Sequence, residues 1–490
     1  MFSAFARRCR CWCLLLLFCL WSLASIDSVA HAASFPAPVA RALKAADIPP
    51  SAVAVVVQAV EARSPRLAVN AEVAMNPAST LKLLTTFAAL DTLGPAFTWQ
   101  TEAYAENMPV AGVLNGDLYL RGSGDPALTY ERFGDLLRAL RLRGVREIRG
   151  DLVLDRGAFA AASTDPGAFD NAPTRPYNVL PDALLVNFNA LTLQLQAADE
   201  PTPGVMASEP PLANLDLVNQ LRLAPTAPCT DDWTDNLQAT TATQGDRLRL
   251  VVSGVYPAAC GERRWHVSPA DHNAFVLGVF KQLWTELGGR FAGTVREGQV
   301  PAALQPNARQ LAVLSSPTLG EIVRDINKYS NNVMARQLFL TLGLAAGHRP
   351  ASAADGEAAV RAWLARRQLE LPGLVLENGA GLSRTERISA IGMARLLQAA
   401  WRSATMPELM ASLPIAGIDG TLKKHWRQDD LLGQAHLKTG SLDGVRAVAG
   451  YLLDKNGRRW IVVALVNHPK AAAARPALEA LLHWVWAGRR

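Results

Sequence analysis

The apolar positions of this chain fall into three textures. Residues 51–60 are dense in Val and Ala and predict a buried strand, with residues 66–71 as its hairpin partner across a polar turn. Pro77 and Ser79 then precede an apolar, helix-compatible run over 80–90, which puts Ser79 near a helix N-terminus. From about residue 97 the pattern shifts to short alternating segments, such as 116–120 and 150–154, separated by Gly, Pro and Asp, with one helical interlude at 131–142. Residues 178–263 are rich in Pro, Thr, Ala and Gln, with a strand expected at 248–255. The third texture is helical and then strand-like. Helices are expected at 270–287, 318–342 and 388–401, with Ser330 within or beside the second. Strands follow at 435–441, 445–453 and 460–466, and an apolar helix at 471–486. The two ends together predict one α/β unit, interrupted by a long β-rich block.

A chain of 490 residues exceeds one ordinary core, so two or three domains are expected. Its first residues read as a separate element. Arg7, Arg8 and Arg10 precede an apolar stretch over 11–23, and Ala30-His31-Ala32 supplies small residues for cleavage. Residues 1–32 therefore read as a secretory signal peptide and imply export. Four of the six cysteines lie in that segment, leaving Cys229 and Cys260, a plausible disulfide in an exported chain. The formal charge is +6, without a dense Lys/Arg run, which argues against nucleic acid. No H-E-x-x-H or other ligand spacing occurs, so no metal or cofactor is implied.

Three short boxes carry the chemistry. In Ser79-Thr80-Leu81-Lys82 the serine and lysine share a helix face, so the amine reaches the hydroxyl. Serine is a weak nucleophile without such a base, and lysine serves when burial lowers its pKa. Ser330-Asn331-Asn332 offers a second hydroxyl and an amide. Lys438-Thr439-Gly440 lies on an expected strand, with a cation and a hydroxyl for a carboxylate and a glycine that allows close approach. This ordered trio is the pattern of penicillin-recognising serine enzymes.

On these boxes, the chain resembles the D-alanyl-D-alanine carboxypeptidases/endopeptidases of the penicillin-binding protein 4 type (peptidase family S13). The stretches 116–126, 379–384 and 420–422, with Tyr329 before the second box and Ser441-Leu442 after the third, add to the resemblance. It departs at Ala380, where serine is common, and at Arg336, where an acidic residue often stands. The resemblance implies an α+β transpeptidase-like domain with a five-stranded antiparallel sheet flanked by helices, formed by 33–100 and 290–490. Two β-rich domains would be inserted, one from 101–177 with 264–289 and one from 178–263. It further implies Ser79 as nucleophile, Lys82 as general base and Ser330 as proton relay. Asn332, Lys438, Thr439 and Gly440 would bind substrate, and the N–H groups of Ser79 and Ser441 would form the oxyanion hole. The implied substrates are peptidoglycan stem peptides and their crosslinks in the periplasm, with β-lactam antibiotics as covalent inhibitors.

Two rival functions are a β-lactamase and a non-catalytic wall-binding protein. Between Asn332 and Lys438 no glutamate has an asparagine four residues later, so the deacylating base of class A β-lactamases is missing and a penicilloyl ester should persist. Retention of all three boxes argues against the binding protein.

Overall fold

Every residue of Val53–Ala59 is buried, Gln58 included, which places this strand inside a covered sheet. The computed structural model describes residues 34–161, 165–197, 204–269, 271–304 and 309–488; the expected signal peptide lies outside them. The sheet is antiparallel, in the order Ala435–Leu442, Val445–Leu453, Arg459–Asn467, Val53–Ala59, Leu67–Val69. Ala54, Val56, Ala447, Ile461 and Val463 share a core with helices Lys82–Leu93, Leu319–Tyr329, Asn332–Ala345 and Ala390–Trp401. Helix Arg475–Trp486 also packs on the sheet and against helix Ala37–Ala45. Helices on both faces explain strands that read as continuous apolar runs rather than alternating ones.

The middle of the chain builds a second core. A five-stranded mixed sheet runs in the order Val295–Glu297, Leu152–Asp155, Leu118–Gly122, Gln100–Ala105, Gln310–Ser315. Helices Tyr130–Leu142 and His272–Glu286 pack into the same apolar cluster. Two three-stranded sheets extend it, Gly204–Glu209 with Leu191–Gln196 and Glu262–Val267, and Leu215–Ala224 with Arg247–Pro257 and Leu237–Gln244. A disulfide joins Cys229 to Cys260, with Cα atoms 4.9 Å apart.

Several boundaries differ from the sequence expectation. Residues 290–315, assigned to the terminal unit, instead supply Arg290–Phe291, Val295–Glu297 and Gln310–Ser315, which pair with strands of the middle block. The expected cut at 263 divides Glu262–Val267, which pairs as a unit with Leu191–Gln196. The single helix expected over 318–342 is two, broken at Ser330. Ile388–Ser389 pairs with Ala74–Met75 before its helix begins. Helices Ala37–Ala45 and Ala353–Arg366 were not anticipated. Among the described residues no helix is long and apolar enough to cross a membrane.

Candidate active site

The expected nucleophile, Ser79, sits on a tight turn rather than inside a regular helix. Ala78–Leu81 is a 3-10 turn that leads into helix Lys82–Leu93. Ala78 has φ 45°, a left-handed conformation that costs energy for a residue with a Cβ. Asn76 holds the turn in place. Its Oδ1 accepts the Ala78 N–H at 2.9 Å, and its Nδ2 donates to the Ser383 carbonyl at 2.8 Å. Asn467 in turn clasps the backbone of Asn76, accepting its N–H at 2.8 Å and donating to its carbonyl at 3.0 Å. Gly381 passes beside the turn where a Cβ would lie 2.0 Å from the Ala78 carbonyl oxygen, so only glycine fits.

Lys82 is fully buried. Its Nζ lies 2.9 Å from Ser79 Oγ and 2.6 Å from Asn332 Oδ1, and also donates to the Ala380 carbonyl. Burial holds its pKa well below the ordinary lysine value, and the neighbouring Lys438 cation pushes it further down; Glu386 opposes this. A neutral amine has two N–H groups, enough for Asn332 and Ala380. Its lone pair is then left for the Ser79 hydroxyl, the geometry of a general base.

Helix Leu319–Tyr329 ends at Ser330, which takes φ 59° and ψ 35°. This left-handed residue turns the chain, and Asn331 caps the next helix by accepting the Met334 N–H at 3.0 Å. Asn332, at that helix's first position, thus faces Lys82. Just before the bend, the buried Lys328 Nζ donates to the Leu413 carbonyl and to Asp419 Oδ2, each at 2.6 Å. This pair ties the second box to the segment that carries Thr421.

Lys438 is also fully buried, and desolvation lowers its pKa to about 7. It donates to Ser330 Oγ at 2.9 Å and to the Thr439 carbonyl at 2.8 Å. Thr439 and Thr421 share a hydrogen bond between their hydroxyls at 2.9 Å. Ser79, Ser330, Thr439, Gly440 and Ser441 line one cleft. The close approach at Gly440 is intramolecular: a Cβ there would lie 2.7 Å from the Pro77 carbonyl oxygen and 3.1 Å from Ser79 N. Its small size therefore seats the nucleophile turn against the strand, a role the sequence reading gave to a ligand.

Some residues of the site escaped the sequence reading. The buried Glu386 accepts, through Oε1, the N–H groups of Glu377, Asn378 and Gly379 at 3.0–3.1 Å, which fixes the loop that presents the Ala380 carbonyl. Burial raises its pKa. Ala380 contributes its backbone to Lys82, so its departure in side chain leaves that contact intact. Arg336 donates to the Val179 carbonyl at 3.3 Å, and its positive charge adds to the lowering at Lys82. Asn76 lies three residues before the nucleophile and was visible in principle; Glu386 had no local signal.

A family model described as the D-Ala-D-Ala carboxypeptidase 3 (S13) family matches residues 36–485. The chain belongs to the S13 family. The D-alanyl-D-alanine carboxypeptidase DacB of Haemophilus influenzae is 28% identical over 403 residues, 81% of each chain. The D-alanyl-D-alanine carboxypeptidase of Actinomadura sp. (strain R39) is 29% identical over 420 residues, 82% of this chain and 75% of that one. The crystal structure of penicillin binding protein 4 from H. influenzae superposes with a TM-score of 0.76 at 24% identity, covering 91% of this chain and 99% of that one. The fold is therefore that of a penicillin-binding protein of this type, and the S13 chain described here is a serine-type D-Ala-D-Ala carboxypeptidase.

Proposed function

We propose that the three boxes cleave the D-Ala-D-Ala end of peptidoglycan stem peptides, and the D-Ala–diaminopimelate bond of crosslinks, through an ester on Ser79. The observation that carries this is the fully buried Lys82 amine, 2.9 Å from Ser79 Oγ, with two other acceptors to orient it. Ser79 Oγ attacks the carbonyl of the penultimate D-Ala while Lys82 takes the hydroxyl proton. The N–H groups of Ser79 and Ser441 hold the developing oxyanion. Ser330 passes a proton to the departing amine, and the C–N bond breaks. Lys438 and Thr439 grip the terminal carboxylate, whose arrival favours the protonated form of Lys438. Water then cleaves the ester with Lys82 again as base, restoring the Ser79 hydroxyl.

β-Lactams enter the same chemistry as mimics of the acyl donor, and a complex of H. influenzae penicillin binding protein 4 with a β-lactam supports this. Without a class A deacylating glutamate the penicilloyl ester persists. The apolar segment and small-residue site within 1–32 support export to the periplasm. Incubation with benzylpenicillin followed by peptide mass spectrometry is expected to find one penicilloyl group, on Ser79, with slow release. An adduct on another side chain, or rapid turnover of penicillin, removes this mechanism.

A further inference from the structure

We propose that the cleft beyond Thr439 and Ser441 is a subsite for the second stem peptide of a crosslink, with Trp426 and Arg475 as its specificity-determining residues. The proposal rests on the acyl-enzyme reading above and asks what occupies the departing side of the same bond.

The cleft holds about 580 Å³, and its lining joins Ser79, Thr439 and Ser441 to Arg446, Trp426 and Arg475. Clefts of roughly 300–1,000 Å³ ordinarily take ligands of drug size. A departing D-alanine occupies only the end nearest Ser79, where Lys438 and Thr439 meet its single carboxylate. A departing peptide strand extends further.

The far end offers what such a strand needs. The indole Nε1–H of Trp426 is enclosed and has no acceptor among the described residues. Buried indole N–H groups usually find a partner, and this one stands unpaired on a residue that lines the cleft. Trp426 also has φ 57°, an outlying conformation for a bulky side chain, and strain of this kind gathers at ligand clamps. Arg446 donates to the Leu442 and Val445 carbonyls and makes no ion pair among the described residues. Arg475 pairs with Glu479 at 2.9 Å and is 61% exposed. Two guanidinium groups against one carboxylate leave surplus positive charge at this end. A crosslinked stem peptide carries free carboxylates and amide carbonyls, which complement that charge and the free indole donor.

The test compares a purified substrate pair, a pentapeptide monomer and a D-Ala–diaminopimelate dimer, with penicillin acylation as a control for the folded site. For Trp426→Ala, kcat/KM on the dimer is expected to fall about tenfold or more, with monomer cleavage and penicillin acylation held near wild type. Trp426→Phe keeps a ring but loses the donor and should fall in between. Arg475→Ala, at an exposed position, should lower dimer cleavage alone and so covers the case in which a Trp426 variant folds poorly. An unchanged dimer-to-monomer ratio in both Trp426→Phe and Arg475→Ala overturns the subsite. So does a wild-type protein that cuts the monomer but not the dimer, which leaves the carboxypeptidase mechanism standing. A wild-type protein that cuts neither and is not acylated by penicillin overturns the mechanism and the subsite together.

Discussion

The terminal sheet region and the inserted block treat charge in opposite ways. In the inserted block, Arg296 meets Asp117, Arg290 meets Glu147 and Lys281 meets Asp246 with side chains partly in water. Such pairs are screened by solvent and contribute little to stability. In the terminal region, Lys82 and Lys438 are stripped of water and meet hydroxyls, an amide and carbonyls instead of carboxylates. Withholding a carboxylate is what keeps an amine basic yet unprotonated. Where the block does bury charge it pairs it, as Asp182 with Arg156, whereas the terminal region buries its two site lysines without an ion pair among the described residues. Among the described lysines, the two whose pKa values are lowered therefore stand together at the cleft, as perturbed groups do at reacting sites generally.

The sharpest break of this contrast is Lys82→Ala. Removal of the base is expected to lower kcat by about 10⁴-fold, with the folded state retained. Measured turnover of a D-Ala-D-Ala peptide within tenfold of wild type would mean that the buried amine is not the base.

The pH profile sharpens the contrast next. Lys82 must be neutral and Lys438 cationic, so kcat/KM should rise as Lys82 loses its proton and fall as pH passes above about 7, where free Lys438 loses its own. The alkaline fall in kcat should lie higher, because bound carboxylate stabilises the Lys438 cation. A kcat/KM profile that stays flat well into the alkaline range would assign the carboxylate grip to another group.

The smallest effect should come from the block. Reduction of Cys229–Cys260 is expected to cost about 2–4 kcal/mol of local stability, read as a lower unfolding temperature, while kcat/KM changes less than about twofold. A large loss of activity on reduction would couple the block to the chemistry and erase the distinction.

What the sequence disclosed follows from range. The boxes are local strings, and the late strands and helices have strong periodicity, so Ser79, Lys82, Ser330, Asn332 and Lys438 could be named together before any coordinates. The limits of the block were misjudged because strands such as Gln310–Ser315 declare themselves only through a partner, here Gln100–Ala105, over two hundred residues away. The bend at Ser330 was hidden because an apolar helical pattern continues on both sides of it. Lys328 acts on backbone and a carboxylate from a segment some ninety residues away, and Glu386 on a loop with no recognisable motif, so nothing in their immediate neighbours announces either role. Gly440 was chosen for its size, and the structure adds an intramolecular contact with the nucleophile turn that the sequence did not announce.

The corner between the two central helices has one more implication. At φ 59° and ψ 35° the main chain at position 330 adopts a shape that glycine tolerates freely. Architecture and reactivity are thus separable there: on the proposed mechanism, deleting a single oxygen-bearing side chain spares the bend and silences the proton shuttle. A functioning hydrolase and an inert look-alike with the same outline would then differ by one small substitution, which overall shape alone could never tell apart.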